Sequence, residues 1–229
     1  MKIGFMAIEL PEGKVKYNDP RLIALEEKDK PKKVVPLFVE FIRDETVHVE
    51  AIVIPEESLL DLLILDIEKI ETRLNRAESE EEKALLARAQ EALENETPLC
   101  DLDLSPEERE TLVKADPLSL KPVIRLEGGE TPNQIIEKAL DQAGYMFFYT
   151  TGPTESHAWL IKQGSDIITC AAKIHSDLAR GFIKGDVVSF DDYLAHHNFN
   201  DCKAKGAARV VDRDYIVQPG EIIEIRFNV

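Results

Sequence analysis

From Tyr145 onward the chain falls into short apolar runs, each closed by Gly, Pro or Asp. That punctuation constrains the last third to a small β-rich module. The runs YMFFYTTG, HAWLIKQG, DIITCAA, DVVSF, ARVV, YIVQPG and EIIEIRFNV read as strands. Between them a short helix is expected at about 176–181 and a second near 190–195. Hairpins are expected to turn at Gly164 and Gly220. Strands of this length around one helix predict a β-grasp, ubiquitin-like arrangement for residues 145–229, built for binding rather than for chemistry.

The front of the chain has another character. Residues 1–8 read as a short apolar strand. Asp19 before Pro20 gives a helix start, since Pro suits the first helical position and Asp accepts from the free amides. Residues 33–42, KVVPLFVEFI, read as one strand in which Pro36 marks an edge or a bulge. Residues 47–54, VHVEAIVI, read as another. Over 56–96 the period changes: Leu59, Leu63, Ile67, Ile70 and Leu74 fall three or four apart, one apolar helical stripe. Ser79 with Glu82 starts a second helix in a capping-box pattern, with Leu85 or Leu86, Ala89 and Leu93 as its stripe. The pair predicts an antiparallel helical hairpin. Ser105 with Glu108 opens a short helix, and 121–126 reads as a buried strand. Thr131 with Gln134 opens a third capped helix that stops at Gly144. The expected fold class is α+β: a truncated α/β part with a helical hairpin over 1–144, then the β-grasp module over 145–229.

Charge divides the chain at the same place. The formal charge of the 229 residues is −16. This disfavours unspecific attraction to nucleic acid or anionic lipid, both of which need Lys and Arg to neutralise phosphate. Residues 145–229 hold 9 Lys+Arg against 11 Asp+Glu, net −2, so −14 lies in 1–144. Residues 56–96 alone hold 13 acids and 5 bases, net −8, the mark of a solvated helical pair or of a partner-binding arm. Cys100, Cys170 and Cys202 are odd in number, widely spaced and without C-x-x-C, so no disulfide framework is expected. The richest apolar run, 59–70, is broken by Asp61, Asp66, Glu68 and Lys69, which no membrane span tolerates. The N-terminal MKIGFMAIELPEGK has too short an apolar segment for a secretory signal. A cytoplasmic protein without membrane contact is expected.

The strongest chemical lead is MKIGFMAI running into E-L-P-E-G-K-V at 9–15. A phosphate-cradling P-loop reads G-x-x-x-x-G-K-[ST] between a strand and a helix. Here the earlier glycine is missing, Glu9 brings negative charge to the loop, and Val15 supplies no hydroxyl for Mg²⁺. No nucleotide-binding residue is therefore assigned. His196 and His197 with Asp191, Asp192 and Cys202 lack metal-ligand spacing, so neither a metal nor a cofactor is expected. His175, in A-K-I-H-S-D, lies at a strand-to-helix turn that it can pin, with Ser176 or Asp177 as the helix cap, or from which it can touch a ligand. The 44 acids single out no pair for acid–base work and no nucleophile signature is present, so no catalytic residue is assigned.

From Trp159 the chain reads W-L-I-K-Q-G, then A-A-K-I-H-S-D-L-A-R-G-F-I-K-G-D-V-V-S-F-D-D-Y-L, and ends D-Y-I-V-Q-P-G-E-I-I-E-I-R-F-N-V. This stretch resembles the C-terminal TGS domain (DUF933 type) of the YchF family of Obg-like ATPases, most specifically at 174–192 and 215–229. The resemblance extends forward in pieces. Residues 13–22 resemble the family segment after switch I, 31–41 the strand leading to the D-x-x-G switch, 66–76 the start of the family's helical hairpin, and 105–125 the approach to its base-recognition motif. It implies a β-grasp TGS domain behind a degenerate, truncated P-loop-type G domain. The departures from the family pattern imply lost chemistry. The P-loop, its helix and switch I have no counterpart. I-R-D-E-T follows Glu40-Phe41 where D-x-x-G belongs. Ile124 to Gly129 follows Lys121-Pro122-Val123 where N-x-x-E would select adenine. Phosphoryl transfer rests almost wholly on positioning by such elements.

The expected function is thus a non-catalytic, translation-associated YchF-like protein that binds a protein, ribosomal or RNA-linked partner through its TGS domain and hairpin. Lys162, Lys173, His175, Arg180, Lys184 and Arg226 are the candidate partner-binding residues. The alternative is a regulatory protein with residual ATP, GTP or alarmone binding at the remnant sheet or the TGS domain. A third expectation is homo-oligomerisation, because loss of a helix layer bares apolar strand faces such as 34–42.

Overall fold

A computed structural model describes residues 1–228; Val229, the last residue of the expected final strand, lies outside the described residues. The chain begins with β1 (Lys2–Phe5), β2 (Gly13–Lys16), α1 (Pro20–Asp29), β3 (Lys33–Val35), β4 (Phe38–Arg43) and β5 (Ala51–Pro55). Helices α2 (Leu59–Leu74), α3 (Glu80–Glu94) and α4 (Pro106–Val113) follow, then β6 (Val123–Leu126) and α5 (Pro132–Gln142). The remainder runs β7 (Tyr145–Thr150), β8 (Glu155–Lys162), α6 (Ile167–Ile174), α7 (Ser176–Arg180), β9 (Phe182–Val188), α8 (Phe190–Ala195), α9 (Phe199–Ala204), β10 (Arg209–Val211) and β11 (Ile222–Phe227). The side chains of Asp19, Ser79, Ser105 and Thr131 each accept an amide of their helix's first turn.

Several expected elements differ. The single strand expected over 33–42 is two, β3 and β4, and they belong to different sheets. Pro36 has no N–H to offer a ladder, so the chain leaves one sheet there instead of bulging within it. Residues 47–50 lie outside β5. DIITCAA is helix α6, not a strand: Asp166 caps it, and Ile167, Cys170 and Ala171 recur at helical spacing and are buried. YIVQPG forms a single bridge from Ile216 to Asp166. The turns at Gly164 and Gly220, both at positive φ, therefore do not close hairpins. Helix α9 was not expected.

The chain makes two compact units, and the boundary is not one cut at 144. The first unit is Met1–Val15 with Val39–Ala143; the second is Lys16–Phe38 with the chain from Gly144 onward.

In the first unit the strands lie in the order β2-β4-β1-β5-β6. The pairs β1–β4, β1–β5 and β5–β6 are parallel. Such sheets are buried on both faces. On one face Ile52 and Ile54 join Leu59, Leu62, Leu63, Ile70, Leu86, Ala89, Leu93 and Leu112 in one core. Ile3, Phe5, Val39, Phe41, Ala51 and Val53 alternate to the other face and are buried. Buried Asp66 accepts from the Leu118 and Ser119 amides, both at 2.6 Å, and ties α2 to the segment before β6.

The crossover between β4 and β5 sets this unit's architecture. Arg43 is level with Phe5 and Ala51 with Ile3, on opposite sides of β1. The connection must return about 7 Å along β1 and cross two strand spacings, about 10 Å. Residues 44–50 do this without a helix, although a parallel crossover ordinarily takes a dozen residues or more. They lie on the face that carries Val49, directly over Gly4: a Cβ on Gly4 would stand 1.7 Å from the Glu45 carbonyl oxygen and 3.2 Å from Val49 Cγ2.

In the second unit the order is β10-β9-β11-β7-β8-β3, with β11–β7 and β8–β3 parallel and β10–β9, β11–β9 and β7–β8 antiparallel. Ile167, Cys170 and Ala171 of α6 pack with Phe148, Val187 and Ile223 in one core. Leu22 and Leu25 of α1 join Tyr149, Val188, Tyr193, Phe199, Cys202 and Ile222 in another. Buried Asp19 accepts from the Tyr149 hydroxyl at 2.6 Å, and Asp29 accepts from the Thr151 and Tyr193 hydroxyls at 2.6 and 2.7 Å. The segment Lys16–Phe38 is thus an integral part of this unit.

Two substitutions test these placements. Gly4→Ala forces the crossover off β1 and is expected to destabilise by about 1–3 kcal/mol or more in chemical denaturation followed by circular dichroism. An unaltered midpoint would contradict the close approach. Leu25→Ala is expected to cost about 2–5 kcal/mol in the transition reported by Trp159 fluorescence. A parent-like transition there would separate α1 from the second unit.

Candidate functional site

In open parallel sheets, ligands bind beyond the carboxyl ends of the strands where the strand order reverses. In the first unit that place is the end of β1, with β4 on one side and β5 on the other. Gly13 and Lys14 do not form a loop before a helix; they open the edge strand β2, with Gly13 at φ 88°. Beyond Phe5 the chain turns at Ala7, φ 56°, into the loop that carries Glu9 and Glu12.

Arg43, at the end of β4, fills this corner with charge of its own. Its Nη2 lies 2.9 Å from Glu9 Oε2, its Nε donates to Glu12 Oε1 at 2.7 Å, and its guanidinium lies 5.1 Å from the centre of the Phe5 ring. The hydrogen bond from Arg43, then its charge, holds the Glu9 carboxyl below the usual range; the two carboxylates push Arg43 up. The crossover that leaves this corner is also satisfied locally as it returns along β1 toward the starts of β5 and β6. The Val47 and His48 amides donate to Glu45 Oε1 at 2.7 and 2.9 Å, which lowers the Glu45 pKa. Lys121 donates to the carbonyls of Thr46 and Val47 at 2.6 and 2.5 Å, and burial pulls its ammonium down. After β6, Gly128 and Gly129 turn at φ 110° and 89°. There Glu130 accepts from the amides of Glu127 and Gly128 and lies 3.2 Å from Lys138. Among the described residues no group of three or more His, Cys, Asp or Glu is placed to hold a metal ion. The thiols of Cys100 and Cys170 are pushed up by burial to about 11 and about 12, so neither is a ready nucleophile.

The six basic candidates of the second unit are largely engaged. Arg226 grips buried Asp186 with two hydrogen bonds, 2.7 and 2.5 Å. Lys203 lies 3.1 Å from the same carboxylate and 2.6 Å from Glu224. Burial alone would raise the Asp186 pKa; the hydrogen bonds from Arg226 and Lys203 outweigh it and hold the group below its usual range. Lys184, the register partner of Arg226, pairs with Asp212. Arg180 pairs with Asp177 at 2.8 Å. His175 is exposed, and its Nδ1 accepts from the Asp177 amide at 3.1 Å. The imidazole itself caps α7, not Ser176 or Asp177. Lys162 lies 3.7 Å from the centre of the Tyr145 ring, and Lys173 is exposed on the last turn of α6. The structure therefore brings Lys184 and Arg226 together but turns both to local carboxylates.

Sequence reasoning missed Asp66, Asp186 and Arg43. Only Arg43 left a signal, since a base in I-R-D-E-T follows two acids upstream in the loop at 9–12. The expected bare face over 34–42 is not there. Val39 and Phe41 are buried, and Phe38 alone of that stretch is exposed, at 52%. This stretch offers no apolar face for oligomerisation.

Residues 145–228 match the family described as YchF-GTPase_C, protein of unknown function (DUF933). The chain is 25% identical over 333 residues to the ribosome-binding ATPase YchF of Bacillus subtilis strain 168, covering 98% of this chain and 91% of the relative. That stretch exceeds the 229 residues of this chain by 104, so a large part of the relative has no counterpart here. Obg-like ATPase 1 of Rattus norvegicus is 42% identical over 82 residues, which is 36% of this chain and 21% of that protein. The solved structure of the Schizosaccharomyces pombe YchF GTPase shares the fold, with a TM-score of 0.78 at 18% identity, covering 99% of this chain and 97% of that one.

The folded pKa of Asp186 lies below its unfolded value, so its contribution to stability is full above the unfolded pKa, about 4, and is lost as pH falls through the folded one. Arg226→Gln is expected to lower the melting temperature by a few degrees at pH 7, and the gap should narrow as pH falls below about 4. Superimposable melting curves at pH 7 would contradict the structural role of Arg226.

Proposed function

We propose that this chain, a relative of the YchF group of Obg-like ATPases with the DUF933 domain at residues 145–228, is a ribosome-directed binding protein that does not hydrolyse a nucleotide. The observation that carries this reading is the self-satisfied carboxyl edge of the first sheet. Where a triphosphate would need cations, Glu9 and Glu12 already take the guanidinium of Arg43. Binding a phosphate there would have to displace two carboxylates at a strand end without a P-loop helix. The helix-free crossover at 44–50 likewise leaves no switch segment to respond to a γ-phosphate.

The ribosome enters through the relatives, since the Bacillus subtilis protein is named for binding it. The order β8-β7-β11-β9-β10 with α6 between β8 and β9 supports reading 145–228 as a β-grasp TGS domain. Helices α2 and α3, joined by a short turn and sharing one core, support the helical hairpin. In this reading the first unit is a scaffold for α2–α4, and the second is the module that the family shares most closely. Among the described residues no helix is long and apolar enough to cross a membrane.

Two measurements test the reading. Titration calorimetry with Mg·ATP and Mg·GTP is expected to show no heat of binding; a micromolar Kd for either would overturn the loss of the nucleotide site. Co-sedimentation with ribosomes is expected to carry the chain into the pellet in low salt. A chain that stays in the supernatant at every salt concentration would overturn the ribosome.

A further inference from the structure

The first unit carries an apolar surface that its own core leaves uncovered. Helix α2 turns Leu59, Leu62, Leu63, Asp66 and Ile70 inward. On its outer side Leu60 is 48% exposed and Ile64 and Leu65 are each 47% exposed. Leu60 and Ile64 are one turn apart and therefore adjacent, with half-buried Ile67 continuing the row. Between this row and Leu65 run the exposed carboxylates Asp61 and Glu68, two turns apart on the same face, with Glu57 before them. Among the described residues, none of these three has an ion-pair partner. The nearest base on the helix, Lys69, is drawn off to the carbonyl of Asp116 at 2.6 Å.

We propose that the outer face of α2 seats a cationic amphipathic helix of a protein partner. Its apolar stripe would lie on Leu60, Ile64 and Leu65, and its Lys or Arg row on Glu57, Asp61 and Glu68. Charge complementarity selects this occupant. Unpaired like charges along a helix face repel, and a desolvated cation row relieves them while the aliphatic side chains exclude water. An RNA strand is disfavoured on the same grounds, because phosphates would meet a row of carboxylates within a segment of net charge −8. A second copy of α2 would bring acids against acids. The proposal deepens the ribosome-directed reading by assigning one contact to a basic protein segment instead of to RNA, but the surface stands on the geometry of α2 alone.

The test uses the full chain and a synthetic amphipathic helix of Leu and Lys as the probe, followed by calorimetry in low salt. The parent is expected to bind it, and added salt to weaken the binding. Leu60→Ser with Ile64→Ser should weaken it at least tenfold, as should Asp61→Lys with Glu68→Lys. Glu81→Lys with Glu91→Lys on α3 should leave it within about twofold, as distant exposed sites do. Circular dichroism checks that every variant is folded. No binding by the parent, or equal losses in the α2 and α3 pairs, would overturn the proposal. Ribosome co-sedimentation of the same variants separates the two readings. If probe binding is kept but co-sedimentation is lost for every form including the parent, the ribosome is rejected and the surface stands. If co-sedimentation is kept but the probe does not bind, the surface is rejected alone. A photo-crosslinker placed at Ile64 that joins to RNA instead of protein would also overturn it.

Discussion

The first unit rests on a backbone crossing a glycine. Gly4 lies in the middle of β1, and the carbonyl of Glu45 occupies the space a side chain would take. That approach lets β4 reach β5 across β1 in seven residues, 44–50, with no helix between them. Once the crossover is this short, Val49 takes part in the core that α2, α3 and α4 cover. The Glu45 turn can then pin its own amides, and Arg43 is left at the end of β4, facing the loop after β1. The closed carboxyl edge follows from the short crossover.

Buried or half-buried carboxylates organise what apolar packing alone leaves undetermined. Asp66 fixes α2 to the segment before β6; Asp19 and Asp29 fasten α1 through the hydroxyls of Tyr149, Thr151 and Tyr193; Asp186 gathers Arg226 and Lys203. Each is fully engaged, as buried polar groups must be if their desolvation is to be offset. In a chain of net charge −16, these acids and Glu221 are turned inward, and the exposed remainder gives the helical segment its acidic surface.

Much of the architecture was legible in the sequence because local rules govern it. The caps at Asp19, Ser79, Ser105 and Thr131 and the apolar stripe of α3 are short-range features. The errors fall where tertiary context decides. DIITCAA carries β-branched residues that suit a strand, but the Asp166 cap and the burial of Ile167, Cys170 and Ala171 on one side make it a helix. Pro36 marks an irregularity in any strand; only the sheet partners of β3 and β4 reveal it as a crossing between sheets. The second unit's claim on Lys16–Phe38 was invisible because Asp19 and Tyr149 are 130 residues apart. Of the candidate site, the missing nucleotide motifs were readable, but what closes the strand ends was not. The basic residues of the module stand out in the sequence by charge alone, and charge does not tell whether a carboxylate waits one strand away.

The carboxyl edge of the first sheet is closed by the chain itself, through Arg43 with Glu9 and Glu12. Hydrogen exchange read by mass spectrometry over 7–12, 42–44 and 127–130, with and without saturating Mg·ATP, decides whether it stays closed. The same exchange is expected in all three segments whether or not nucleotide is present. Slower exchange in these segments with Mg·ATP would show that the edge still receives a nucleotide, and would contradict that closure.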